Sequence, residues 1–422
     1  MRVLALLLAA GSIGCSAESF VIRNVHVFDG DRLITQTSVV VEGGLIQAVG
    51  PRVKAPKGAR EIDGSGKTLL PGLIDSHTHV YLTEVLKQAS VLGVTTNFDM
   101  FSSPAFVAGI QKAGGKLADH ADLFSAGFLA TVPGGHGTEY GIKVPTLTKP
   151  EEAQSWVDAR IAEGSDYIKI IYDDWHEYEL PKLRPTLTKE TMKALVEAAH
   201  QRGRLAVVHI GSLGQAKDAF EAGADGLAHL FVGPSEPEFE RLAASHHVFV
   251  IPTLSVLNSI CNTPFDSALA EDVRIKTYLP ASGIAALTGK FPPIKESCEG
   301  ASEAVKQLKA EHVAILAGTD AGNPGTTYGA SLHGELELLV RAGLTPAEAL
   351  HAATAAPAAT FHLTDRGRIT AGLKADLLLV AGNPLTEISA TRQIVSVWLG
   401  GVEIDRAAWK RRVDQGRLPV PH

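Results

Sequence analysis

The middle of this 422-residue sequence alternates between short apolar runs and longer amphipathic runs about eight times. The apolar runs are the expected strands, at 72–75, 94–98, 123–128, 167–171, 205–209, 226–229, 248–252 and 314–319. Amphipathic runs lie between them, including 189–202 and 331–342, and each of these two ends just before a glycine. Strand followed by helix, repeated in this way, predicts an α/β fold with a (β/α)8 TIM barrel over residues 71–365.

Short strand-like segments separated by turn residues flank this region on both sides. Residues 18–70 contain glycine turns, and residues 366–408 contain the turn Gly400-Gly401. Neither end has enough strands to bury a core alone, so we expect the two ends to combine in one small β-sandwich. Residues 409–422 are expected to form a tail.

The segment between the last two expected strands, 254–311, is about twice as long as the others. Its prolines are Pro264, Pro280, Pro292 and Pro293. Long connections in compact domains are usually functional, so we expect a lid or an insertion that encloses substrate.

The first seventeen residues read as a signal for export. Arg2 precedes an apolar run that is about half as long as a bilayer span, and small residues follow. Residues 15–17 offer a cleavage site, while 12–15 resemble a lipoprotein box that would place a lipid on Cys15. We therefore expect a periplasmic or secreted protein with no membrane span. Two alternatives are a lipid anchor and a cytosolic protein with an apolar N-terminus.

Only Cys261 and Cys298 remain once Cys15 is removed or lipidated. In an exported chain they could form a disulfide, but their spacing is equally compatible with two separate thiols.

The charge balance excludes one class of partner. The chain has 39 basic and 46 acidic residues, a net charge of −7, and no basic cluster. A surface that binds nucleic acid needs a basic excess. We expect a small-molecule substrate and a homo-oligomer.

The strongest motif is Pro71-Gly72-Leu73-Ile74-Asp75-Ser76-His77-Thr78-His79. Because residues i and i+2 of a strand point the same way, His77 and His79 present two imidazoles to one point. Imidazole is a common ligand of Zn²⁺ and related ions. A lone His-x-His pair would be weak support for a metal site. The prediction therefore depends on whether the other expected strands also end in ligand-type residues.

Three further ligand-type residues lie at the ends of expected strands. They are His209, His229 and Asp320. Each alone has an ordinary explanation, a core histidine or a helix N-cap, but barrel enzymes place their sites at the carboxyl ends of the strands. Together, five such residues at four strand ends favour a metal centre.

Lys169 lies inside the apolar strand 167–171, where an unpaired ammonium is costly to bury. It could extend out to water or pair with Asp173 or Asp174. Alternatively, its neutral amine could react with CO₂ to give a carbamate that bridges two metal ions.

The sequence resembles the amidohydrolase superfamily over nearly the whole mature chain. The matching stretches include PGLIDSHTHV at 71–80, GSDYIKI at 164–170, GADGLAHL at 223–230, AGTDA at 317–321 and GRITAGLKADLLLVAGNP at 367–384. Within the superfamily it is most similar to imidazolonepropionase-like and Xaa-Pro/Xaa-Arg dipeptidase-like enzymes, a group that also contains ochratoxin-hydrolysing enzymes.

This resemblance implies two divalent ions, with zinc the first candidate and manganese, iron or nickel as alternatives. His77, His79 and Asp320 would hold one ion, and His209 and His229 the other. Carboxylated Lys169 and a hydroxide would bridge them. Since imidazolonepropionases proper hold one metal without this lysine, Lys169 favours the binuclear, peptidase-like branch.

The implied reaction is hydrolysis of an amide or peptide C–N bond, as in an N-acyl amino acid or a dipeptide. The hydroxide attacks the carbonyl, and Asp320 acts as general base and then as general acid toward the leaving nitrogen. Alternatives are a lactone, ester or carbamate substrate at the same site, and a non-catalytic metal-binding protein of the cell envelope. A deaminase is a further alternative, against which Lys169 counts.

The resemblance gives fewer indications of substrate-binding residues. The glycine-flanked His136 is a candidate for the substrate carbonyl or carboxylate, with a surface histidine as the alternative. Tyr172, Phe231 and Tyr328 follow Lys169, His229 and Asp320 and are further candidates.

Overall fold

The computed structural model describes residues 18–178, 182–262, 265–292, 294 and 298–418. The predicted leader with Cys15, and residues 419–422 of the predicted tail, lie outside the described residues. Among the helices of the described residues, none has the length and apolar character needed to cross a membrane.

The described residues form strands in two kinds of sheet. The strands are β1 (Phe20–Phe28), β2 (Leu33–Glu42), β3 (Leu45–Gly50), β4 (Arg60–Asp63), β5 (Lys67–Pro71), β6 (Leu73–Thr78), β7 (Val94–Asp99), β8 (Asp122–Ser125), β9 (Ile168–Ile171), β10 (Ala206–His209), β11 (Gly226–Ala228), β12 (Phe249–Ile251), β13 (Ala314–Ile315), β14 (Leu377–Ala381), β15 (Ile394–Leu399) and β16 (Val402–Glu403).

Helices alternate with the strands from β6 onward. The α-helices are α1 (Thr83–Val91), α2 (Pro104–Ala113), α3 (Ala153–Ala162), α4 (Lys189–Gln201), α5 (Leu213–Glu221), α6 (Pro237–Ser245), α7 (Leu254–Ile260), α8 (Phe265–Glu271), α9 (Val273–Lys276), α10 (Ala281–Thr288), α11 (Glu299–Ala310), α12 (Ala330–Arg341), α13 (Pro346–Ala352), α14 (Ala355–Thr360) and α15 (Arg406–Asp414). Short 3₁₀ turns occur at Gly114–Leu117, Pro150–Glu152, His176–Tyr178 and Ile388–Arg392.

One sheet combines strands from both ends of the chain. Its order is β16-β15-β14-β5-β1-β2-β3, with β4 paired to β1. Since β5 bonds both to β1 and, antiparallel, to β14, hydrogen bonding is continuous across the two ends. Phe20 stacks on Trp398 with ring centroids 5.2 Å apart, so both ends also contribute to one apolar core. In place of the expected two-layered sandwich, the described strands form one mixed sheet.

The eight strands β6 to β13 are parallel, as the alternating pattern predicts. They form a three-stranded sheet, β6-β7-β8, and a five-stranded sheet, β13-β12-β11-β10-β9. Side chains from the strands or their immediate flanks meet in one apolar interior, which contains Ile74, Phe98, Ala126, Tyr167, Val207, Ala228, Ile251 and Leu316. Both sheets therefore direct their carboxyl ends to one side of the molecule.

The expected closed barrel is not present as one continuous ladder. Isolated bridges, Thr78 with Ala321 and Ala130 with Ile170, connect the two sheets at their edges. At the first edge the regular ladder is replaced by other bonds: the Thr319 N–H donates to the Asp75 carboxylate at 3.1 Å, and the Ser76 N–H donates to Ala317 O at 2.9 Å. A side-chain acceptor thus takes a place that a strand carbonyl occupies in a regular sheet.

The expected insertion after β12 contains helices α7 to α11 and is fixed at both ends of α7. At the amino end, the buried Glu335 carboxylate of α12 accepts hydrogen bonds from the N–H groups of Leu254 and Ser255, at 2.9 and 2.7 Å. At the carboxyl end, Cys261 forms a disulfide with Cys298, with Cα atoms 6.0 Å apart. The cysteine pairing that the sequence left open is therefore a bond in the structure.

Replacement of Glu335 by alanine should lower the free energy of unfolding by about 1–3 kcal/mol, because buried donors at the start of α7 lose their acceptor. Chemical denaturation measures this loss. Glu197, exposed on α4, is the control, and Glu197→Ala should change stability by at most about 0.5 kcal/mol. Equal losses in the two variants would contradict this role of Glu335.

Candidate metal centre and active site

Three of the predicted ligands lie together where β6 and β13 end. His77 and His79 lie at the end of β6, and Asp320 follows β13. Asp320 Oδ1 is 3.3 Å from His77 Nε2 and 2.9 Å from His79 Nε2. One ligand atom from each residue lies within 4.8 Å of the others, a spacing that suits a cation.

The polar atoms of this group lack the partners that buried atoms normally have. Within the described part of the chain, both ring nitrogens of His77, Asp320 Oδ1 and Lys169 Nζ are buried without a hydrogen-bond partner. Buried polar groups are nearly always paired, with an unplaced ion as one recognised exception. Lone pairs on imidazole and carboxylate are the donors that divalent transition metals bind, so these residues fit such an ion.

His209 and His229 extend the cluster along the ends of β10 and β11. The ring centroid of His229 is 4.6 Å from that of His77 and 4.5 Å from that of His209. His229 Nδ1 lies 2.7 Å from Thr253 Oγ1, and this hydroxyl donates its proton to Pro252 O. The hydroxyl oxygen therefore accepts from Nδ1–H, which leaves the Nε2 lone pair of His229 for a cation.

His209 has an acidic neighbour. His209 Nε2 lies 3.2 Å from Oδ2 of Asp173, whose side chain is 1% exposed. Burial raises the pKa of Asp173. Asp173 lines the same cavity as His209, so the structure brings this candidate partner of Lys169 to the site but pairs it with a histidine.

Burial controls the protonation of the cluster. It lowers the pKa values of His77, His209 and His229 well below the ordinary value, so these imidazoles are neutral and can act as ligands. Burial also lowers the pKa of Lys169 to about 7. A substantial fraction of this amine is therefore unprotonated near neutral pH.

Backbone conformation is unusual at two of the predicted ligands. His229 has φ 75° and Asp320 has φ 59°, in the left-handed region that residues other than glycine seldom adopt. Asp320 is held there because its N–H donates to His77 O at 2.8 Å and its carbonyl accepts from Thr326 Oγ1 at 3.1 Å. Such conformations concentrate at functional sites, where the surroundings enforce them.

Asp75 joins the two strands that carry the three-residue cluster. It is fully buried, and its carboxylate accepts from Thr319 Oγ1 at 2.7 Å and from the His77 N–H at 3.2 Å. Burial raises the pKa of Asp75 to about 7. Sequence reasoning missed this role, although Asp75 lies two residues before His77 and therefore on the same side of β6.

His136 lies beside the cluster, with its ring centroid 5.0 Å from that of His209. Its Nδ1 is 2.6 Å from Glu139 Oε1, and the Gly137 N–H donates to Glu139 Oε2 at 2.7 Å. Glu139 thus fixes the orientation of the His136 ring within one loop. Sequence reasoning missed Glu139, for which a carboxylate three residues after a glycine-flanked histidine was the available signal.

The other three predicted substrate-binding residues lie outside the described cavity lining. The Tyr172 hydroxyl donates to Asp218 Oδ2 at 2.9 Å. Phe231 is buried and packs edge-on against Phe239. The Tyr328 hydroxyl donates to the His79 carbonyl, so it supports a predicted ligand from behind.

A cavity of about 440 Å³ opens above the cluster. Its polar side contains His79, His136, Glu139, Lys169, Asp173, His209, His229 and Asp320. Apolar and aromatic residues complete the lining, among them Trp175, Tyr178 and Leu257. This volume suits a small organic substrate.

The sequence profile of the amidohydrolase family matches residues 68–404, most of the chain. The chain belongs to this family. The amidohydrolase is similar to the imidazolonepropionase of Cereibacter sphaeroides, with 28% identity over 409 residues covering 87% of this chain and 94% of the relative. It is also similar to the imidazolonepropionase of Deinococcus radiodurans, with 25% identity over 405 residues covering 88% of this chain and 93% of the relative. Family membership makes the chain a hydrolase that acts on C–N bonds.

Among solved structures, an Xaa-Pro dipeptidase with methionine bound in its active site has a TM-score of 0.73 to the amidohydrolase. The two are 24% identical, and the match covers 92% of this chain and 99% of that one. This likeness bears on the fold: over 92% of the chain, the architecture is similar to that of a known enzyme structure.

Divalent metal should bind at the His77, His79 and Asp320 cluster. Chelator-treated amidohydrolase should take up Zn²⁺ tightly in an equilibrium titration, and His79→Ala should weaken uptake at least about tenfold, since it removes a ligand whose Nε2 faces Asp320. His200, whose side chain is 43% exposed and pairs with Asp225, is the control, and His200→Ala should bind as the wild type does. Unchanged binding in His79→Ala would rule out this cluster as the site.

Proposed function

We propose that this amidohydrolase hydrolyses an amide or peptide C–N bond in an N-acyl amino acid or dipeptide-like substrate at a binuclear metal centre. The observation that carries the proposal is the set of buried, unpartnered ligand atoms on His77, Lys169 and Asp320 beneath a cavity. In this proposal the two parallel sheets act together as a (β/α)8 scaffold for the centre.

The proposed centre uses the residues in two groups. His77, His79 and Asp320 would hold one divalent ion, His209 and His229 the other, and Lys169 would contribute to both as a carbamate. When bound, the ions lower the pKa of water and polarise a carbonyl group. Zinc is the first candidate, because neutral imidazoles and carboxylates suit it, and manganese, iron and nickel share this ligand preference.

The low pKa of Lys169, about 7, supports carbamate formation. Only the neutral amine has a lone pair that can attack CO₂, and burial supplies that form. The nitrogen–carbon bond forms and one proton leaves the nitrogen, so the neutral amine becomes an anionic carbamate. Starting from the ammonium form, two protons are released in total. An anion is better matched than an ammonium to a site that holds divalent cations.

Asp320 is the proposed proton carrier. Burial acts to raise its pKa, but neighbouring groups, above all His79 with its Nε2 2.9 Å from Oδ1, outweigh that effect and hold the pKa of this carboxyl below its ordinary value. Asp320 is therefore ionised near neutral pH and can accept a proton from the attacking water. Its place in the cavity lining lets it return that proton to the leaving nitrogen.

His136 is the proposed contact for the substrate carbonyl or carboxylate. Because Glu139 accepts from Nδ1–H, it fixes the orientation of the His136 ring and leaves Nε2 as the ring nitrogen that can contact substrate. In this scheme His136 is the group that contacts substrate, and Glu139 is a positioning residue.

The same site could act on a lactone, an ester or a carbamate, since these carbonyls respond to the same chemistry. Amides are favoured here because a leaving nitrogen needs a proton and Asp320 can supply it. The buried Lys169 counts against a mononuclear deaminase, and the solvent-connected cavity counts against a non-catalytic metal-binding protein of the envelope.

We also propose that the protein is exported, to the periplasm or the medium, or as a lipoprotein anchored at Cys15. The disulfide between Cys261 and Cys298 supports this placement, because such bonds persist in oxidising compartments and are rare in the cytosol.

Elemental analysis of the mature protein purified with bicarbonate should give about two ions per chain, and Lys169→Ala should give clearly fewer. Lys169→Ala should also lower kcat at least about a hundredfold on a panel of N-acyl amino acids.

Asp320→Asn should lower kcat by about 10²–10⁴ with a smaller effect on KM. If the wild type carries two ions and cleaves lactones but no amide, the amide proposal is wrong.

Glu139→Gln should lower kcat/KM about tenfold, because the neutral amide that replaces the carboxylate no longer holds His136 by a charge-assisted bond. His136→Ala should lower kcat/KM by a larger factor than Glu139→Gln does. The double variant should then be no worse than His136→Ala alone, since Glu139 acts through His136. Additive losses would show that Glu139 works independently of His136.

A further inference from the structure

One insertion supplies an apolar part of the lining of the cavity above the predicted metal ligands. This part, here termed the apolar wall, consists of Val256, Leu257, Ile260, Phe291, Pro292 and Ile294. All six come from the insertion between β12 and β13. The polar side comes from strand ends and the loops that follow them, so the two sides have separate structural origins.

The part of the apolar wall that lies on α7 is fixed relative to the reacting groups. Glu335 holds the start of α7, and the Cys261–Cys298 disulfide holds its end. Between these points, Gly325 approaches Ser259 so closely that an added Cβ would overlap that side chain. Because Gly325 belongs to the loop that follows Asp320, the position of α7 is set directly against the segment that carries the proposed proton carrier.

Charged groups of the described lining lie on the polar side, at Glu139, Lys169, Asp173 and Asp320. Glu139 is already engaged by His136 and Gly137, and Asp173 by His209. A charged substituent placed against the apolar wall would lose its hydration and find no partner among these described residues, which is costly. An apolar substituent there would gain from burial.

We propose that the apolar wall selects amide substrates that carry an uncharged aromatic or branched aliphatic group on one side of the scissile bond. This inference rests on the proposed amide hydrolysis and specifies its substrate class. The group packs against Leu257 and its neighbours while the carbonyl faces His136 and Asp320. Discrimination by such pockets reaches about 10–200-fold per methylene.

Two substrate sets test this selection. The first varies the amine side at constant acyl group, with N-acetyl derivatives of phenylalanine, leucine, alanine, lysine and glutamate. The second varies the acyl side, with phenylacetylglycine and acetylglycine. In at least one set, kcat/KM should be about tenfold or more higher for the aromatic or branched member than for the small and the charged ones.

Variants of Leu257 connect the preference to the apolar wall. Leu257→Ala should remove most of the preference, about tenfold, by lowering kcat/KM for the aromatic or branched substrate far more than for the small one, while the metal content stays within about twofold of wild type. Leu257→Met, which keeps the volume, should retain it. Leu45→Ala is the control, since this leucine is 42% exposed on β3. An equal loss on every substrate in Leu257→Ala would overturn the selective role, as would equal turnover of charged and aromatic substrates by the wild type.

A binding measurement separates this inference from the proposed function. Calorimetry with phenylacetate and acetate needs no turnover, and the wild type should bind phenylacetate about tenfold more tightly, a difference that Leu257→Ala should abolish. If no amide is cleaved but this difference is present, the proposed function fails and the apolar wall remains a binding surface. Equal binding of the two acids would overturn the role of the apolar wall, whatever the reaction.

Discussion

Burial of polar atoms that have no partner within the described chain is the constraint on which this site depends. His77, Lys169 and Asp320 keep such atoms where solvent does not reach them, and folding must offset that cost elsewhere. The surroundings supply rigidity. Asp75 joins β6 to the segment after β13, and hydrogen bonds to its N–H and carbonyl groups hold Asp320 in a left-handed conformation. A cation would remove the cost, so metal binding and stability are coupled here.

A short series of hydrogen bonds connects the proposed ligand His229 to the start of α7 and to the core helix α12. Thr253 fixes the His229 tautomer and is the residue immediately before α7, whose first N–H groups bind the Glu335 carboxylate. Burial raises the pKa of Glu335 to about 8, so this carboxyl also carries a desolvation cost. The proposed ligand, the apolar wall and a core helix are therefore connected through a few adjacent hydrogen bonds.

Much of the architecture was predictable, because strand periodicity and strand ends are local properties of the sequence. The expected strand at 205–209 is observed as Ala206–His209, and the expected helix at 189–202 as Lys189–Gln201. The interruption between the two parallel sheets was not predictable. At the edge between β6 and β13 it occurs where the Asp75 carboxylate binds Thr319, a contact between positions far apart in sequence. The pairing of Cys261 with Cys298 depends on the same kind of distant contact.

Side-chain direction limited what could be predicted of the site. His77 and His79 could be assigned to one face because strand geometry fixes it, whereas Tyr172 follows β9 and its hydroxyl meets Asp218 instead of the cavity. Glu139 lies in a loop, where no periodicity reports which way a residue points. Ligand positions on strands were therefore accessible from the sequence, and substrate contacts from loops were less so.

The pairing of β5 with β14 affects the order in which this chain can fold. Leu70 lies opposite Leu378, so the sheet lacks its central pairing until almost the entire polypeptide has been made. Contacts of such high sequence separation form slowly and late. During synthesis, β1 to β5 must wait with an unpaired edge, a state prone to aggregation.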